Sequence, residues 1–120
     1  MHLAALLVAL IVCVAAIALG SRFLLIPRQA TLAFGVAADN LRALTEMKGV
    51  RDITSGAVPL AVWAAAGRTA LGWALVAAAL TPAADAMIVL TNGGKLSTAL
   101  GIHGLTAGLL VAAGLVLALG

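Results

Sequence analysis

The side chains able to do chemistry are few and lie within otherwise apolar sequence: Arg51, Asp52, Asp85 and His103. An aspartate and a histidine can exchange protons, because burial disfavours the charged carboxylate and histidine titrates near neutral pH. An arginine beside them can hold an anion or keep a carboxylate ionised. Because ionisable groups inside a membrane span are costly, they mark a functional-site hypothesis.

Each of these residues has a predicted role. Asp85 is the predicted general acid or base, because it follows Pro82 in a largely apolar segment. His103 is its predicted proton partner. Arg51 is expected to hold an anion or to orient the bound molecule, and Asp52 to position Arg51. Polar residues at helical spacing complete the predicted binding set: Ser55, Thr81, Asn92 and Thr106.

No cofactor and no metal ion is predicted. Cys13 is the one cysteine, so neither an intrachain disulfide nor a metal cluster can form, and we interpret it as a small apolar filler. A structural alternative stays open for the polar residues. In that alternative Arg51 pairs with Asp85 and the set fixes helix register, although interhelical polar bonds are worth only about 0.6 to 2 kcal/mol each.

The composition is that of a membrane protein. Of 120 residues 64% are hydrophobic and 9% are charged, and the mean hydropathy is +1.21; soluble domains carry about 25% charged residues. A span needs about 20 residues, so the chain has room for four. This excludes a soluble catalytic domain or a nucleic-acid module, and the net charge of +3 is interpreted as a topology signal.

Charge-free runs, the middle two of which must take in neighbouring charged residues to reach membrane length, locate four predicted spans. They lie at residues 3–21, 48–66, 69–90 and 99–118, in a single domain of residues 1–120. The first run ends like a secretory signal, but it lacks a charged start and is too long, so we interpret it as a span. The middle two are separated by a polar break at Gly67 and Arg68. The predicted fold class is therefore an all-α integral membrane four-helix bundle.

The charges of the loops predict the orientation. Lys and Arg are concentrated in the first loop, with Lys95 in the third, so these loops are expected in the cytoplasm and both termini outside. Trp63 and Trp73 flank the Gly67 break, as an aromatic belt would place them. In this orientation Asp52, Asp85 and His103 converge on one polar layer near the cytoplasmic face.

The first loop is a predicted cytoplasmic connector, residues 27–47. Its part "DNLRALTEMK" is expected to form a short interfacial helix with Asp39 or Asn40 as N-cap. The connector either lies passively on the membrane or gates the polar layer.

Prolines and small residues modify the predicted spans. Pro59 and Pro82 are each expected to free a backbone carbonyl one turn earlier, at Ser55 and Ala78. A ridge of small residues on the last span is expected to let another helix approach closely: Gly104, Gly108 and Ala112.

The motifs "IPRQATLAFGV", "KGVRD", "PAADA" and "GIHG" carry a resemblance that covers nearly the whole chain. The sequence resembles a family of small, hydrophobic, four-span membrane proteins of unknown function that is distantly similar to DoxX-type proteins. The resemblance implies a four-span fold in a bacterial cytoplasmic membrane or a fungal membrane. It places Arg51, Asp52, Asp85 and His103 on the family's polar positions, and it implies no reaction.

These observations favour a protein that binds a small lipophilic molecule in a cytoplasm-facing polar pocket within a bacterial cytoplasmic membrane. Proton transfer by Asp85 and His103 would suit isomerisation, cyclisation or epoxide opening, and whether the protein is an enzyme stays open. The alternative is a non-enzymatic transporter subunit or membrane assembly partner with a structural polar layer. The expected partners are membrane lipids, a lipophilic ligand and a second copy of the chain, and nucleic acid is not among them.

The orientation can be tested by cysteine labelling. We expect Asn40→Cys to react with a membrane-impermeant reagent applied from the cytoplasmic side, because residue 40 lies in the basic first loop. Arg68→Cys should be protected from the same reagent, since residue 68 lies in the outer turn. The opposite pattern would reverse the topology.

Overall fold

A computed structural model describes residues 2–120 and is all-α, as the sequence predicts, with 89% of residues helical. It forms two compact units, one ending at Lys48 and the other comprising Gly49–Gly120. The helical elements in chain order are α1 (His2–Leu25), α2 (Pro27–Phe34), α3 (Leu41–Ala78), α4 (Leu80–Thr91), α5 (Leu96–Thr98), a π-helical segment (Ala99–Gly104) and α6 (Leu105–Leu119).

Three helical stretches are long and apolar enough to span a membrane: His2–Leu25, Leu41–Thr91 and Leu96–Leu119. The middle stretch has 51 residues, which as one straight helix would measure about 75 Å against a hydrocarbon core of about 30 Å. It is interrupted at Gly67, whose φ of 84° and ψ of −169° are not helical. Glycine adopts this conformation readily because it has no Cβ.

The chain doubles back at Gly67. Arg51 and Asp85 are 34 residues apart in sequence, so a straight helix would separate them by about 50 Å. Their side chains nevertheless form an ion pair. Residues 49–66 and 68–91 are therefore the two arms of a helical hairpin with Gly67 at its turn.

The second arm is broken once more, just before Pro82. Helix α3 ends at Ala78 and α4 begins at Leu80, with the Ala79 N–H still donating to the carbonyl of Leu75 at 3.0 Å. Proline is tolerated in the first turn of a helix because the N–H groups there have no intrahelical partner. The break thus places Pro82 in the first turn of a new helix.

The predicted connector is more regular than the sequence suggests. Asn40 takes the capping position, with its Oδ1 accepting a hydrogen bond from the Ala43 N–H at 3.0 Å. The helix that starts there is not a separate interfacial helix, because α3 continues from Leu41 into the first arm. Helix α2, at the other end of the connector, lies where the sequence predicts no regular element.

The first unit is organised around the bend between α1 and α2. Pro27 occupies the first turn of α2, and Ala30 and Thr31 are buried. The rings of Phe23 and Phe34 meet edge to face, with their centroids 6.3 Å apart. These contacts hold α2 against the end of α1.

In the second unit, two glycines bring the second arm against α6. A Cβ added to Gly72 would lie 2.5 Å from the carbonyl oxygen of Gly114, and one added to Gly114 would lie 2.6 Å from that of Gly72. The predicted ridge of Gly104, Gly108 and Ala112 does not make this contact. A Cβ on Gly108 would meet nothing within 4 Å.

We expect Gly72→Ala and Gly114→Ala each to lower the free energy of unfolding by about 1 to 3 kcal/mol, because the added methyl group meets backbone that must move. Gly56→Ala is the matched control, since its Cβ would meet nothing within 4 Å. That variant should be as stable as the wild type or slightly more so. Unfolding followed by circular dichroism in mixed micelles measures all three, and equal stabilities would contradict the close approach.

Candidate functional site

The centre of the candidate site is the Arg51 guanidinium, which lies between two carboxylates. Its Nη1 and Nη2 donate to Oδ1 and Oδ2 of Asp85, each at 3.2 Å, and Nη2 also donates to Oδ1 of Asp52 at 3.1 Å. Two parallel N–H···O bonds to one carboxylate fix both distance and orientation. The pair therefore joins the first arm of the hairpin to α4.

The three side chains differ in exposure. The exposed fraction is 19% for Asp85, 42% for Arg51 and 50% for Asp52. Asp85 is thus the most sheltered member, and both of its oxygens accept from Arg51. An anion bound by Arg51 would have to compete with two carboxylates already in place. The geometry favours a clasp between helices over an open anion site.

The other predicted polar residues bond mainly within their own helices. Ser55 Oγ donates to the carbonyl of Arg51 at 2.9 Å, and Thr106 Oγ1 donates to that of Ile102 at 2.7 Å. Asn92 Nδ2 donates to the carbonyl of Ile88 at 2.8 Å, at the end of α4. Thr81 is half-buried in the first turn of α4.

His103 lies in the π-helical segment, next to buried Ala99. The N–H of Leu105 reaches back to the carbonyl of Leu100, which is the wider spacing of a π-helix. Such segments are rare and often accompany functional sites. His103 is half-buried, and within residues 2–120 it makes no hydrogen bond or ion pair with Asp85.

An apolar groove of about 630 Å³ runs between the second arm and α6. We call it the α4–α6 groove; its lining residues are Val76, Ala79, Leu80, Ala83, Ala107, Gly108, Val111 and Ala112. This groove is not predicted from the sequence. A usable signal was present, because small residues recur four apart on both sides, at Ala79 and Ala83 and at Gly108 and Ala112.

The groove has two different ends. At one end the second arm and α6 are closed together by Gly72 and Gly114. From there the two helices run antiparallel, since residues 76–83 line the groove opposite residues 107–112. Continued along the same direction, this pairing brings Asp85 and His103 to a similar level at the other end.

Asp85 and the groove nevertheless occupy different faces of α4. Ala83 lines the groove, and Asp85, two residues later, is turned from it by about 200° around the helix axis. Its carboxylate is directed to Arg51 instead. On the α6 side, His103 precedes the lining residue Ala107 by four positions, but it lies in the π-helical segment, where the spacing of an α-helix does not hold. Neither Asp85 nor His103 is among the residues that line the groove.

Comparison with known proteins identifies the family. The model of a domain of unknown function, DUF4267, matches residues 13–117. The chain belongs to the DUF4267 family. The match supports the resemblance to a family of unknown function, whereas no match to DoxX-type proteins accompanies it. No curated protein and no solved structure matches the chain.

A double-mutant cycle measures the clasp. We expect Arg51→Ala and Asp85→Ala to be coupled by about 1 kcal/mol or more, because the bidentate pair is partly sheltered from solvent. The control is Arg42 and Glu46, an ion pair of 2.9 Å with side chains 90% and 66% exposed, whose coupling should be about 0.5 kcal/mol or less. Equal coupling energies in the two cycles would show that the Arg51–Asp85 pair contributes no more to stability than an exposed ion pair does.

Proposed function

We propose that this chain is a membrane protein that binds a small lipophilic molecule in the α4–α6 groove, with the polar end of that molecule toward His103. The observation that carries the proposal is the groove itself. Its residues border about 630 Å³ of open space along the two helices, and the space between helices of a bundle is a common place for a ligand site. Its walls are apolar, and His103 lies four residues before the lining residue Ala107.

The membrane arrangement is part of the proposal. We propose a four-helix bundle in a bacterial cytoplasmic membrane with both termini outside. Three helices of membrane length, one of them folded back at Gly67, support four spans. The basic first loop supports the orientation. A distant relationship to DoxX-type proteins rests on the quoted motifs alone.

In this proposal the Arg51–Asp85 pair is a clasp that holds α4 in the orientation that forms the groove. Proton transfer between Asp85 and His103 has weaker support, because both oxygens of Asp85 already accept from Arg51. Isomerisation, cyclisation or epoxide opening would require this pair to open and release a carboxylate oxygen. Binding requires no such change, and it is therefore the function that we favour.

A second candidate is a membrane assembly partner, such as one copy of a homo-oligomer or a transporter subunit. The ridge of Gly104, Gly108 and Ala112 supports this candidate, because Gly108 and Ala112 line the groove and the space beside Gly108 is open. Ridges of small residues let two membrane helices approach closely. A helix of another subunit would then occupy the place that we assign to a small molecule.

Filling the groove separates these functions. Ala112→Phe places a ring into the groove, whereas Ala113→Phe adds the same ring to an exposed position on α6 that does not line it. Each protein is purified in detergent, its co-purifying lipophiles are identified by mass spectrometry, and its mass in the micelle is measured by light scattering. We expect one lipophile to be retained by the wild type and Ala113→Phe and reduced at least tenfold in Ala112→Phe.

The other outcomes are equally informative. Loss of an oligomer in Ala112→Phe alone, with only bulk lipid in every sample, would replace ligand binding by assembly. His103→Ala should weaken retention of the lipophile, and Asp85→Asn should weaken it only as far as it lowers the free energy of unfolding. A folded Asp85→Asn variant that retains the ligand but accumulates it in a different chemical form would favour proton transfer.

A further inference from the structure

We infer that the bend between α1 and α2 binds an anionic phospholipid, with the phosphate at Arg22 and an acyl chain over the neighbouring aromatic rings. The site is a hollow of about 380 Å³ in the first unit. We call it the elbow hollow; its lining residues are Leu19, Arg22, Phe23, Ala30, Ala33 and Phe34. This site is separate from the α4–α6 groove and does not depend on the function proposed for it.

The first argument is charge. Arg22 lies in the last turn of α1, and among residues 2–120 its guanidinium has no ion-pair or hydrogen-bond partner. Two other arginines are paired with carboxylates, Arg42 with Glu46 and Arg51 with Asp52 and Asp85. No acidic residue lines the elbow hollow. An anion is therefore the ligand that this cation lacks, and guanidinium groups bind phosphate oxygens well.

The second argument is the apolar remainder of the hollow. Leu19 and Phe34 are largely exposed, and Phe34 meets Phe23 edge to face. A soluble phosphate ion would contact Arg22 and leave these side chains uncovered. A phospholipid would cover both parts at once, because it joins a phosphate to an acyl chain. Basic pockets beside membrane helices are known to bind lipid head groups.

A neighbouring hollow supplies the contrast. It measures about 630 Å³ and shares Phe23 with the elbow hollow, and its lining includes both Arg28 and Asp39. A carboxylate beside the arginine weakens attraction for an anion. Of the two hollows, the elbow hollow is thus the one whose only charged lining residue is a cation.

The test uses phosphatidylglycerol and phosphatidylcholine as probes. The full chain is mixed with both lipids at equal concentration, and native mass spectrometry gives the ratio of protein bound to each. We expect the wild type to favour phosphatidylglycerol and Arg22→Gln to lower the ratio about fivefold, which corresponds to about 1 kcal/mol for one basic residue at an anionic surface. Arg42→Gln removes the same formal charge and should change it less than twofold.

Two further measurements distinguish a specific lipid site from general electrostatic attraction between the protein and anionic lipid. Ala33→Leu fills part of the hollow from an exposed position and retains every charge; it should lower the retention of phosphatidylglycerol by a similar factor. An excess of inorganic phosphate should not displace the lipid. Equal losses in Arg22→Gln and Arg42→Gln, no loss in Ala33→Leu, or full displacement by phosphate would each overturn the proposal.

Discussion

The arrangement of the second unit depends on the ion pair between Arg51 and Asp85. Arg51 and Asp85 come from helices that run in opposite directions, and their bidentate pair compensates two ionised groups at once. A single unpaired charge at this position would be costly in a hydrocarbon environment. The pair therefore sets the rotation of α4, and with it the face of α4 that is left to line the groove.

A second contact, of a different kind, complements the clasp at the opposite end of the second arm. Gly72, near the turn, lets the backbone of α6 approach at Gly114, and Asp85 lies near the other end. The groove occupies the stretch between a backbone contact and a polar one. Small residues near the middle leave open space between the two helices, and the end contacts keep it from closing.

The sequence predicts those features that depend on local chemistry. An apolar composition, a glycine beside an arginine between two apolar runs, and an asparagine before a helix all have direct consequences for the backbone. The capping by Asn40 and the conformation of Gly67 follow from these residues. The continuation of α3 from Leu41 past Lys48 does not, because the polar residues of "LRALTEMK" suit an interfacial helix and an extended span equally well. The groove was missed because it arises from small side chains on two helices at once, and the alanines that form it also fit ordinary packing. The orientation of Asp85 away from it depends on the rotation of α4, which a list of polar residues does not contain.

The π-helical segment at Ala99–Gly104 has a consequence for how the last helix can evolve. A π-turn holds about one residue more than an α-turn and is geometrically equivalent to a one-residue insertion. Everything that follows it is rotated by about 100° relative to an uninterrupted helix, although the direction of the helix is kept. The length of α6 and the side chains it presents to the second arm can thus change independently. A gain or loss of one residue near His103 would rotate α6 about its own axis and change which of its side chains face the second arm.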